Sequence, residues 1–120
     1  MALRAVRGAT RLHADDAAEM TEAVVELLRA ILERNALTTD DVISALLTST
    51  PDLRCGFPAA AAREAGFGAV PLLCAQEIDV AGALPQVVRV MAHVESDRSR
   101  DDIVHVYLRG AEVLRRDLAQ

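Results

Sequence analysis

Arg7, Glu77 and Arg89 are charges set inside or beside segments otherwise suited to burial. Arg89 is centred in Val87-Val88-Arg89-Val90-Met91, where an unpaired guanidinium would carry a heavy desolvation cost. A short chain rarely keeps such a charge without an anionic partner. Two guanidinium forks suit a carboxylate or phosphate and can stabilise negative charge that develops on it. Two readings are open: the three groups serve one anionic ligand, or they serve only each other.

Composition narrows the chemistry. All thirteen basic residues are arginine, and without lysine there is no Schiff base, no phosphate-loop lysine and no ammonium base. His13, His93 and His105 are scattered outside any metal-ligand spacing, so no metal and no cofactor is expected. No serine lies in an elbow motif and no histidine is placed to activate Cys74, which argues against a covalent hydrolase. The net charge of -5 and the scarcity of aromatics (Phe57, Phe67, Tyr107) speak against nucleic acid and an anionic membrane surface as partners. Cys55 and Cys74 lie in dissimilar contexts, without a signal peptide or a long apolar span. A soluble cytoplasmic protein with free thiols is expected.

The elements that must position these groups follow from periodicity. At 120 residues, 52% hydrophobic, the chain reads as a single domain, 1–120, with its own core. Residues 3–10 form a first strand with Arg7 on the side of Leu3 and Ala5. Asp16, with Glu19 three positions on, caps a long helix striped by Met20, Val24, Leu27 and Ile31, and Asn35 suits its exit. One residue of Thr38-Thr39-Asp40-Asp41 caps a short turn into a second strand over 43–50. Pro58 opens a short helix over 58–65 that Gly66 ends, strands follow at 70–74 and 86–95, and a short strand at 104–108 precedes a terminal segment from 111. The class is α+β: a mixed five-stranded sheet on one long helix plus short helices.

In the 86–95 strand, Val88, Val90, Ala92 and Val94 make one apolar face. Val87, Arg89, Met91, His93 and Glu95 make the other, so Arg89 points away from the helix-bearing core. A ligand pocket or a subunit interface would explain that mixed face. Singly, the remaining candidates have ordinary readings. Glu77 suits a solvated loop, Cys74 a small core residue, Tyr107 a core anchor, and Arg63 surface charge on an alanine-rich helix.

Collinear segments over nearly the whole chain carry a resemblance. They are Arg4-Ala5-Val6-Arg7-Gly8-Ala9-Thr10, Thr50-Pro51-Asp52-Leu53 with Phe57-Pro58-Ala59, and Ala62-Arg63-Glu64. They continue through Val70-Pro71-Leu72-Leu73-Cys74-Ala75-Gln76-Glu77-Ile78-Asp79-Val80 and Arg89-Val90-Met91. They end in Asp101-Asp102-Ile103-Val104-His105-Val106-Tyr107-Leu108 and Val113-Leu114-Arg115. In these the chain resembles the small, non-helical, trimeric chorismate mutases of bacteria.

The resemblance implies a homotrimeric pseudo-α/β barrel with sites between subunits and chorismate as substrate. The reaction is a cofactor-free [3,3] rearrangement to prephenate. It also implies roles. Arg89 would donate to the ether oxygen, Arg7 and Tyr107 would bind a carboxylate, and Glu77 would accept from the ring hydroxyl with Cys74 beside it. Arg89 and Glu77 would thus face different parts of one substrate rather than each other. Leu73 and the Ala75-Gln76 backbone would line the same wall. Phe57, Ala59 and Arg63 would come from a neighbouring subunit, with Leu114 and Arg115 on a mobile C-terminal flap. Three positions depart from the family pattern: Ala60 for lysine, Leu73 for threonine and Arg116 for proline. Two other classes fit the composition, a non-enzymatic trimer that binds a small carboxylate and a trimeric imine deaminase. The first has no use for Glu77, and the second does not explain the order of the matched segments.

Overall fold

The computed structural model describes residues 1–114. Five strands, β1 (Ala2–Arg11), β2 (Val42–Ser49), β3 (Leu72–Gln76), β4 (Val87–Ser96) and β5 (Val106–Tyr107), form one sheet in the order β3-β2-β4-β1-β5. Pairs β1–β4 and β2–β4 are antiparallel, whereas β2–β3 and β1–β5 are parallel, so the sheet is mixed as expected. Helices α1 (Ala17–Arg34) and α2 (Pro58–Ala62) share one core with the sheet, through Val6, Leu47, Val88, Val90 and Val94.

Helix α1 forms where its stripe and cap require. Met20, Ala23, Val24, Leu27, Leu28 and Ile31 are buried, and the Asp16 carboxylate accepts from the Glu19 amide at 2.9 Å. Glu19 does not close a reciprocal box on Asp16, whose own amide is taken by the Ala14 carbonyl. It reaches further back and accepts from the His13 and Ala14 amides at 2.6 and 3.3 Å. Helix and sheet meet closely at Gly8. A Cβ there would lie 2.9 Å from Ile31 Cδ1 and 3.1 Å from Leu27 Cδ1 and the Val106 carbonyl.

Some boundaries differ from the pattern-based ones for local reasons. β3 starts two residues later than expected because the Val70 amide is turned back to the Phe67 carbonyl and Pro71 has no N–H. β5 shortens to two residues because Asn35, expected only at the helix exit, is buried and reaches across. Its side chain accepts from the Val104 amide at 2.7 Å and donates to the Ile31 and Val104 carbonyls at 2.9 Å. The 58–65 helix is α-helical only to Ala62 and then widens into a π turn (Arg63–Phe67), with Gly66 at φ 93°. Thr38 proves to be the cap of the Thr39–Asp41 turn, its amide donating to Asp41 Oδ2 at 2.9 Å.

The other face of the sheet is only partly covered. At one end Ala9, Val87, Tyr107 and Ala111 form a second small cluster, with Leu84 and Leu114 against it. Beyond it the face lies open, and Leu3, Leu46 and Leu73 are exposed.

Candidate active site

Arg89 sits on this second face because its neighbours in β4, Val88 and Val90, belong to the helix-facing core. Antiparallel register places it between Ala9 of β1 and Thr48 of β2, while Arg7 lies opposite Met91. Parallel register places Tyr107 beside Ala9. Glu77 extends the β3 ladder by one bond, its amide donating to the Ser49 carbonyl at 2.9 Å. Alternation from Leu73 and Ala75 then brings its side chain to the same face. Residues distant in sequence thus converge on one short stretch of sheet.

Their contacts are specific. Arg89 Nε donates to Glu77 Oε2 at 3.1 Å, and the Thr48 hydroxyl donates to the same oxygen at 2.7 Å. The expectation that Arg89 and Glu77 address only separate parts of a ligand is therefore corrected: in the free chain they form an ion pair. Their side chains are 36% and 18% exposed, so neither charge is deeply buried and each offsets the other's desolvation. The Arg7 guanidinium has no hydrogen bond or ion pair among the described residues. Its backbone amide donates to His105 Nδ1 at 3.0 Å. The Tyr107 ring is buried, and its hydroxyl is sealed from water without a partner among the described residues.

Arg7, Leu46, Thr48, Arg89, Met91 and Tyr107 line a cavity of about 120 Å³. A broader cavity of about 400 Å³ shares Arg89 with it, holds Glu77 and is walled by the 77–85 loop. Two guanidiniums, a phenol and a hydroxyl-held carboxylate on an apolar floor can bind a small anion with a hydroxyl group at a fixed distance from it.

A second group of candidates lies elsewhere. Cys74 pairs with Leu47 and packs against the helix-side core, on the opposite side of β3 from Glu77, and its sulfur accepts from the Ala59 amide at 3.3 Å. Within one chain, Cys74 is therefore not beside Glu77. Phe57 is 75% exposed, Arg63 is exposed, and Phe57, Pro58, Cys74, Ala75 and Gln76 border a cavity of about 380 Å³. Leu73 projects from the sheet edge, 66% exposed, and Leu114 rests on the Tyr107 cluster. Arg115 and Arg116 lie outside the described residues.

Turns fix these groups. The Thr50 hydroxyl accepts from the Val87 amide at 3.0 Å and donates to Asp52. Asp52 accepts from the amide of Gln86, which adopts φ 57° just before β4. This node ties the end of β2 to the strand that carries Arg89. Asp15 accepts from the Arg54 and Cys55 amides at 2.9 Å, and those bonds hold its carboxyl below the usual range. Burial, then Asp15, pushes the Cys55 thiol up to about 11, so it stays protonated and unreactive near neutrality. Sequence reasoning missed Thr48 and Asp52. Thr48 carried only a weak signal, its alternation with Leu46, because the strand it pairs with is set by tertiary structure. No cluster of metal-ligating side chains and no helix long and apolar enough to cross a membrane occurs among the described residues.

Comparison with known proteins bears on this geometry. A family model described as chorismate mutase type I matches residues 3–118. The chain is 44% identical over 120 residues to chorismate mutase AroH of Bacillus subtilis, covering 99% of this chain and 94% of that one. It is 43% identical over 117 residues to chorismate mutase AroH of Thermus thermophilus, with 97% and 96% covered. A solved chorismate mutase from Clostridium thermocellum superposes with a TM-score of 0.88 at 46% identity, over 91% of this chain and 97% of that one.

Proposed function

The chain belongs to the chorismate mutase type I family, and on that premise we propose how its residues divide the work. Its reaction is an isomerisation of chorismate to prephenate, which serves aromatic amino-acid biosynthesis. One C–O ether bond breaks as one C–C bond forms, with no net proton transfer. The protein must therefore select a compact conformer of a dicarboxylate and stabilise partial negative charge on the departing ether oxygen.

The observation that carries the assignment of roles is the convergence of Arg7, Arg89, Tyr107 and Glu77 around one sheet face. Arg89, its Nε already held by Glu77, keeps its terminal amino groups for the ether oxygen and a carboxylate. Arg7 and Tyr107 bind the enolpyruvyl carboxylate. A buried phenol without a partner costs about 1–3 kcal/mol, which a bound carboxylate would recover. Glu77 accepts from the ring hydroxyl and fixes which face of the ring meets Arg89.

The site is completed, in this proposal, by a second copy of the chain. Cys74, with the Ala59 amide on its sulfur and Phe57 bordering the same cavity, lies across β3 from Glu77. The groups of the site are split between a cavity of about 120 Å³ holding Arg7 and Tyr107 and one of about 400 Å³ holding Glu77, with Arg89 in both. A neighbour presenting its Phe57 side to the open face would bury exposed Leu46 and Leu73 and close the pocket. Cyclic, heterologous contacts of this kind give a trimer in the arrangement that the resemblance implies. In the same proposal the protein works in the cytoplasm, on a substrate made and used in amino-acid biosynthesis.

The test is loss of chorismate absorbance on addition of purified protein, with Arg89→Ala as the paired control. The wild type consumes chorismate and the variant does not. Unchanged chorismate with the wild type refutes the reading, and a stable monomer on sizing refutes the shared site.

A further inference from the structure

We infer that Thr48 is a positioning residue for Glu77, an assignment that rests on the chorismate mutase reading of the site. Thr48 stands directly opposite Arg89 in the β2–β4 register, and both donate to Glu77 Oε2, at 2.7 and 3.1 Å. A carboxylate offers about four lone-pair sites on its two oxygens. Placing both donors on Oε2 leaves Oε1 without a hydrogen-bond partner among the described residues. The backbone of Glu77 is held independently, through its amide bond to Ser49.

The two donors are not equivalent. Arg89 carries a full charge and is drawn to any anion that enters the cavity, whereas the threonine hydroxyl is neutral and does not compete for a dianion. While the terminal amino groups of the guanidinium engage the ligand, Thr48 anchors the carboxylate with Oε1 presented to the ligand hydroxyl. Branching at Cβ restricts χ1 on a strand, so the Thr48 hydroxyl is itself held in few orientations. Its role is exerted through Glu77.

The experiment compares Thr48→Val and Thr48→Ser in the wild-type and Glu77→Ala backgrounds, using chorismate consumption, thermal unfolding and a crystal structure of Thr48→Val. Thr48→Val lowers kcat/KM roughly tenfold or more, as losing a hydrogen bond to a charged group implies. Serine, which keeps the hydroxyl, restores most of the activity. In the Glu77→Ala background the valine substitution has little further effect, because the two residues act as one unit. An equal loss in both backgrounds, or full activity in Thr48→Val, overturns the inference. If valine impairs folding, Thr48→Ser against Thr48→Ala makes the same comparison of a hydroxyl present and absent. Should the wild type leave chorismate unchanged, the family reading fails first. The position of the Glu77 carboxylate in the Thr48→Val crystal then decides the Thr48 role separately: a rotated carboxylate supports it and an unmoved one refutes it.

Discussion

Replacing Tyr107 with phenylalanine should move stability and activity in opposite directions. The ring is 6% exposed and packs in the cluster of Ala9, Val87 and Ala111, so phenylalanine keeps nearly all of the buried apolar contact. The hydroxyl it removes is buried without a partner among the described residues. Relief of an unsatisfied buried group is worth about 1 kcal/mol, the low end of the usual range, and raises Tm by roughly 3–5 °C for a chain of this length. The same hydroxyl is assigned to the substrate carboxylate, and a hydrogen bond to a charged acceptor is worth about 1.5–3 kcal/mol. Its loss therefore lowers kcat/KM roughly ten- to hundredfold. Calorimetric unfolding at fixed protein concentration and chorismate consumption read the two effects. General damage lowers both quantities, so it cannot imitate the expected result. A less stable Tyr107→Phe would mean that the hydroxyl has a partner in the free protein. Unchanged kcat/KM would mean that it does not touch substrate.

The remaining expectations concern charge, packing and pH. Arg89→Lys keeps a cation but loses the fork that lets Nε hold Glu77 while the terminal groups meet the ligand. The barrier should rise by about 2 kcal/mol or more, seen as a fall in kcat, and normal turnover would refute the role of the guanidinium. Gly8→Ala puts a methyl 2.9 Å from Ile31 Cδ1 and close to the Val106 carbonyl, and should destabilise by about 1–3 kcal/mol in denaturant titration. Asp15 and Glu19 have folded-state pKa values below their ordinary 3.8 and 4.5, chiefly through backbone amides at Arg54 and His13. Their contributions are present above those values and fade as pH falls through the lower folded ones, so stability should decline in acid below about pH 4.5. Asp15→Asn should flatten part of that decline, and an acid limb identical to wild type would refute the assignment.

Local features were readable because their causes are local. The Asp16 cap and apolar stripe of α1 depend on spacings of three and four residues, and the face on which Arg89 points depends on alternation alone. The same alternation explains why Cys74 and Glu77, three positions apart in extended chain, face opposite sides, although the family resemblance had put them side by side. The proposed site between subunits would reconcile the two. Element ends were less legible where a distant group intervened, as Asn35 does at Val104.

Arg89, met first as an unfavourable charge in an apolar strand, marks the division. Residue type and order by themselves determined an α+β chain with a permanent cation on the second face of a strand, and carried the family resemblance. Only the tertiary structure decided what surrounds that cation. It set Thr48 across from it, brought Glu77 back from beyond β3 to pair with it, and left the Tyr107 hydroxyl without a partner among the described residues. The reason is physical. Alternation sets where a side chain points, whereas its neighbour across a strand depends on register, and register is fixed by packing of the whole sheet on α1.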